Sequence, residues 1–135
     1  MIEIAPSAAI RAAALWTGLH LPLLIVLSVL VVLRRRAHQV GIGDGGVPDL
    51  LRASRAFGNA AEYIPAALVA LVLLALVGAS AAVVHGVGAT LLAGRLLHAV
   101  GLSRSSGASI PRMLGMVLTF TAYGVATGAL LFYAL

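Results

Sequence analysis

The chain has 135 residues, 61% of them hydrophobic and only 10% charged, with a mean hydropathy of +1.09. A soluble domain carries roughly 25% charged residues and, at this size, buries only about two-thirds of its surface, so a water-soluble globule is excluded and the bilayer is the main solvent. The net charge of +5 comes from nine arginines and no lysine, set against Glu3, Asp44, Asp49 and Glu62, and the absence of cysteine excludes disulfides, thiolate metal sites and a cysteine nucleophile.

The first apolar run spans Ala8 to Leu33, with Arg11, His20 and Pro22 inside it, and ends in Arg34, Arg35 and Arg36. A secretory signal carries its charge ahead of the apolar stretch, whereas here the charge follows, which predicts a retained transmembrane helix. A turn-rich link with Gly41, Gly43, Gly45, Gly46 and Pro48 leads to a second helix expected over 49–77 and capped by Asp49. At 1.5 Å per residue that helix is roughly 40 Å long, more than a ~30 Å hydrocarbon core, so its polar first turns are expected at headgroup level. Gly78, Ala79 and Ser80 form a tight link to a third helix over 82–102, which carries Arg95 and His98 near its end. A short polar stretch from Ser103 precedes a fourth helix over 110–134, with Ser109 as its expected N-cap and Pro111 in its first turn.

The expected fold is therefore an all-α membrane protein, one bundle of four transmembrane helices. Arg34, Arg35, Arg36, Arg52, Arg55, Arg104 and Arg112 all fall at or beside the first and third links. The second link and the C-terminal end carry no charge, and Glu3 balances Arg11 near the N-terminus. The positive-inside rule then predicts both termini outside and both charged links in the cytoplasm. The basic character is topological: no stripe of cations alternates with aromatics, so a nucleic-acid partner is not expected. Four scattered histidines without acids at ligand spacing predict no metal site.

The second helix carries the chemistry. At 100° per residue, Arg52, Arg55, Asn59, Glu62 and Tyr63 share an arc of about 100°, with Ala53, Phe57 and Pro65 on the other side. A polar group inside a membrane segment costs at least ~2.5–3.5 kcal/mol unless it pairs, snorkels or faces a wet cavity. Two readings follow. In one, the face is a structural seam in which Glu62 pairs with Arg95 and Asn59 joins helices. In the other, it is a binding site: arginines hold carboxylates bidentately while Glu62 accepts from an amine, which suits a zwitterionic ligand. The rows Gly124/Gly128 and Gly86/Thr90/Gly94 are faces on which helices can approach closely.

The run from Arg52 to Pro65, with its Arg-x3-Asn-x2-Glu-Tyr-x-Pro core, resembles the signature of the MAPEG family, the membrane-associated proteins of eicosanoid and glutathione metabolism. The segment from Gly94 to Leu102, with Arg95 and His98, is similar to that family's third helix, and the resemblance covers essentially the whole chain. It implies a homotrimer with glutathione bound between subunits near the cytoplasmic face of an inner membrane. Arg52, Arg55, Asn59, Glu62, Tyr63, Arg95 and His98 are then the expected glutathione-binding residues, and stabilisation of the thiolate is the expected catalytic task. The chain departs from the family's eukaryotic pattern in one respect. His98 and Leu102 stand where tyrosines are expected, and Ser109 stands near the place of the catalytic arginine. Arg104 and Arg112 flank it, so the resemblance leaves the thiol-activating role among Arg104, Ser109 and Arg112. The implied activity is glutathione transfer to, or reduction of, small lipophilic electrophiles that enter from the membrane lipid. The rivals are a non-catalytic protein of the same fold that binds a thiol or lipid ligand, and a small transporter subunit, which charges at only one membrane level disfavour.

Overall fold

The computed structural model describes residues 5–105 and 107–135; Glu3 and Ser106 lie outside them. Four helices follow one another: α1 (Ala8–His38), α2 (Pro48–Leu76), α3 (Ala81–Arg104) and α4 (Ile110–Ala134). Each is long and apolar enough to cross a membrane.

The helix ends differ from the sequence expectation in three instructive ways. α1 runs through its arginines to His38 and stops on Gln39, which turns left-handed at φ 56°. Arginine is a good helix former, and cations suit the negative end of the helix dipole, so the charged triplet prolongs the helix. α2 starts on Pro48 in its first turn with Val47 at the N-cap, and no side chain caps it. Asp49 is instead drawn to α1, where it meets Arg34 at 3.2 Å and His38 at 3.0 Å and ties the first link shut. Ser109 does occupy the N-cap position of α4, but its hydroxyl accepts no helix N–H.

The helices run up and down. α2 and α3 form the central pair, while α1 and α4 flank it on opposite sides and do not touch one another. Short links force this antiparallel order, and close helix approach is set by glycine. A Cβ on Gly94 would lie 2.9 Å from the Gly115 carbonyl oxygen, and one on Gly115 would lie 2.5 Å from the His98 nitrogen. The α3–α4 seam is thus in backbone contact, and extra methylenes there have nowhere to go. At the opposite end the indole of Trp16 lies directly against Gly88, joining α1 to α3, and its Nε1–H donates to His85 Nδ1 at 3.1 Å. On the Gly124/Gly128 row, by contrast, a Cβ on either glycine would meet nothing within 4 Å among the described residues beyond its own helix backbone.

Two apolar clusters form the interior. One gathers Ala12, Leu71, Leu74, Val84, Leu91 and Ala122, and the other Leu27, Ala56, Ala60, Ile64 and Leu102. Each helix also carries interior polar residues: His20 on α1, Asn59 and Tyr63 on α2, Arg95 and His98 on α3, Thr119 on α4. Interior polar groups are what a bundle in lipid tolerates if they satisfy one another.

Candidate functional site

The polar residues expected at one site divide into two groups. The inner group centres on Arg95, which is completely buried. One terminal nitrogen donates to Asn59 Oδ1 at 2.6 Å and lies 3.1 Å from His98 Nδ1; the other donates to Thr119 Oγ1 at 3.3 Å and approaches Met116 Sδ at 3.9 Å. The guanidinium also lies over the Tyr63 ring, 5.3 Å from its centroid. Hydrogen bonds to a charged group contribute roughly 1.5–3 kcal/mol each. Several together offset the ~2.5–3.5 kcal/mol cost of a cation at this depth, so no carboxylate is needed. The Glu62–Arg95 pair of the seam reading does not form: among the described residues Arg95 meets no acid, and Asn59 takes the place assigned to Glu62.

Arg95, His98 and Asn59 are thereby engaged with one another across α2, α3 and α4. Tyr63 joins them from below. Its backbone carbonyl accepts the Tyr123 hydroxyl at 2.6 Å, and its ring meets Phe120 and Tyr123 edge-on. Thr119 and Met116 were not singled out from the sequence. The available signal was Gly115 with Thr119 one turn on: a glycine that lets α3 approach beside a hydroxyl that it then covers.

The outer group lies at the end of the bundle where the first and third links sit. Arg52 and Arg55 of α2 and Arg112 of α4 line one depression of about 210 Å³, walled by Leu51 and Leu102. Among the described residues none of these three arginines lies within 4.0 Å of a carboxylate. Arg112 is brought there by a close approach: a Cβ on Gly101 would lie 2.6 Å from its backbone nitrogen. Arg104, in the last turn of α3, is exposed and does not line the depression. On its other side Arg112 borders an apolar groove of about 520 Å³ along α4, lined by Ser109, Met113, Met116, Val117 and Phe120. The Ser109 hydroxyl is buried and has no hydrogen-bond partner among the described residues. One arginine thus stands between a cationic depression and a lipid-level groove.

Glu62 joins neither group. It is exposed on the flank of α2, and no described cation of its own chain lies within 4.0 Å. Among the described residues no cluster of three histidines or acids could hold a metal ion.

The sequence profile of the MAPEG family matches residues 13–132, from the first helix to the last. The chain belongs to the MAPEG family. Among curated relatives, the protein named inner membrane protein YecN, from two strains of Escherichia coli, is 44% identical over 88 residues, which cover 65% of this chain and 67% of that protein. The match and the four spans together make this an integral membrane protein of the family.

Proposed function

We propose that this protein binds glutathione at the arginine-lined end of the bundle and conjugates it to, or uses it to reduce, small lipophilic electrophiles. The observation that carries the reading is the convergence of Arg52, Arg55 and Arg112, which meet no carboxylate among the described residues, on one depression beside an apolar groove that shares Arg112. Glutathione has two carboxylates for guanidinium groups and an amine for a carboxylate. Its thiol, with a free pKa of about 8.5, is mostly protonated at neutral pH, and a neighbouring arginine favours the thiolate. Arg112, between the polar and the apolar compartments, is the residue assigned that role. The thiol proton passes to water, and the thiolate sulfur bonds to the electrophilic carbon of a partner in the groove as a leaving group departs with the electron pair of the broken bond, or as a conjugated double bond takes that pair and is protonated. In the reductive case the thiolate attacks the hydroperoxide, the O–O bond breaks to release the alcohol, and a second glutathione displaces water from the resulting sulfenic acid to give glutathione disulfide. Arg104 and Ser109 are left out of that step, the first because it does not line the depression and the second because a hydroxyl adds no positive charge.

Glu62, facing away from its own bundle, is assigned the γ-glutamyl amine of a glutathione shared with a neighbouring subunit. This arrangement goes with the homotrimer that the family resemblance implies. The site would face the cytoplasm of a bacterial inner membrane, with both termini outside, as the arginine distribution favours. The rival reading, a protein of the same fold that binds a thiol or lipid ligand without turning it over, is favoured by the departures at His98, Leu102 and Ser109.

Calorimetry with glutathione and ultraviolet spectroscopy of the complex separate the readings. Saturable binding with a thiolate absorption band and turnover of a model electrophile or lipid hydroperoxide supports the enzyme. Binding without thiolate or turnover leaves the non-catalytic reading, and absence of saturable binding overturns both.

A further inference from the structure

A second cationic feature lies away from the arginine depression, at the foot of α1. Val32, Arg35, Arg36, Gln39, Val40 and Gly41 line an open groove of about 410 Å³. Arg35 is half-buried and held in place by donating to the Gly41 carbonyl at 3.1 Å. Arg36 is exposed and, among the described residues, meets no carboxylate. The nearby acids are committed elsewhere: Asp49 to Arg34 and His38, Asp44 to the Gly46 backbone nitrogen.

The groove continues an apolar row. Ile25, Val29 and Val32 are exposed, and with Arg36 they fall within about 60° of one another on α1, a stripe roughly 16 Å long. Arg36 thus sits where the helix leaves the membrane, in line with a ridge of branched apolar side chains, and Arg35, 100° round the helix from it, reaches the same groove. That is the outline of a phospholipid, with acyl chain along the ridge and phosphate at the two guanidinium groups. No carboxylate lines the groove to meet the ammonium of a zwitterionic headgroup. A small soluble anion would leave the ridge unused.

We infer that the groove formed by Arg35, Arg36 and Gln39, with the Ile25–Val29–Val32 ridge above it, is a binding site for one anionic phospholipid, which packs against α1. The site is independent of the glutathione reading, since it shares no residue with the depression. It holds the lipid through charge-assisted hydrogen bonds to the phosphodiester, and its selectivity comes from unpaired positive charge at headgroup level.

Native mass spectrometry of the delipidated full-length protein, titrated with phosphatidylglycerol or with phosphatidylcholine of the same acyl chains, tests this. The expected result is one tightly retained phosphatidylglycerol per chain, with phosphatidylcholine bound several-fold more weakly. Arg36→Gln, which removes a guanidinium with no hydrogen bond among the described residues, should lower phosphatidylglycerol affinity about fivefold, the effect of one arginine near a charged membrane surface. Arg11→Gln, a charge removed at the other end of α1, should leave it unchanged. Equal retention of the two lipids, or an equal loss with Arg11→Gln, overturns the assignment. So does displacement of the lipid by millimolar inorganic phosphate with no dependence on the acyl chains. A cysteine introduced by Val29→Cys that cross-links two copies in the membrane would show the ridge covered by protein, and would also overturn it.

Discussion

Gly101 is the position where one methyl group should reach both the fold and the site. A Cβ there would lie 2.6 Å from the Arg112 nitrogen, 3.0 Å from its Cα and 3.0 Å from its Cβ. Two of the three are backbone atoms, so no rotamer change relieves the contact. Ordinary contact needs about 3.5 Å or more between such atoms, so the start of α4 must retreat by close to 1 Å. Overpacking of this kind costs about 1–3 kcal/mol, while replacing glycine by alanine inside a helix returns about 1 kcal/mol. Gly101→Ala should therefore destabilise the protein by up to about 2 kcal/mol. Gly18→Ala, on α1 with nothing within 4 Å of its Cα side, should be neutral or stabilising by up to about 1 kcal/mol. Thermal or denaturant unfolding in detergent, followed by far-ultraviolet circular dichroism, reads the difference. Because the same displacement carries Arg112 away from Arg52 and Arg55, glutathione affinity should fall for Gly101→Ala and not for Gly18→Ala. A Gly101→Ala protein as stable as Gly18→Ala would refute the backbone contact between α3 and α4, and with it the account of how Arg112 is placed.

Asn59→Leu removes the shortest acceptor of the buried Arg95 and should destabilise by roughly 1.5–3 kcal/mol in the same unfolding assay; wild-type stability would mean that Arg95 does not depend on it. Arg112→Gln should weaken glutathione binding tenfold or more and abolish any thiolate band, whereas Arg104→Gln should change neither; the reverse pattern, read by calorimetry and absorbance, would move the thiol-activating role to Arg104. Glu62→Gln should reduce glutathione affinity with no change in the stability of the isolated subunit, because its carboxylate meets no described cation of its own chain. Unaltered affinity would remove Glu62 from the site.

The number, order and approximate length of the spans were legible in the sequence, as was the gathering of arginine at two links. Both follow from local requirements: about 20 apolar residues cross a hydrocarbon core, and helical periodicity assigns a face to Arg52, Arg55, Asn59, Glu62 and Tyr63 without reference to any neighbour. The family signature was legible for the same reason, being written within fourteen consecutive residues, Arg52 to Pro65. What one helix cannot specify is which of its polar groups turns to which partner. Tertiary packing decided that Asn59 serves Arg95 and that Glu62 does not, because α3 is seated against α4 by Gly94 and Gly115 and presents Arg95 to Asn59 and Thr119. It separated Arg104 from Arg112 as well: the two are eight residues apart in sequence, but Arg112 is pressed against Gly101 and lines the depression with Arg52 and Arg55, while Arg104 does not line it. Asp49 shows the same division, a plausible helix cap by sequence alone that a cation pair on the preceding helix captures once α1 runs on to His38. Periodicity and hydropathy are properties of a segment. Close approach depends on the shapes of residues far apart in sequence, and that is what arranged the polar groups of this bundle.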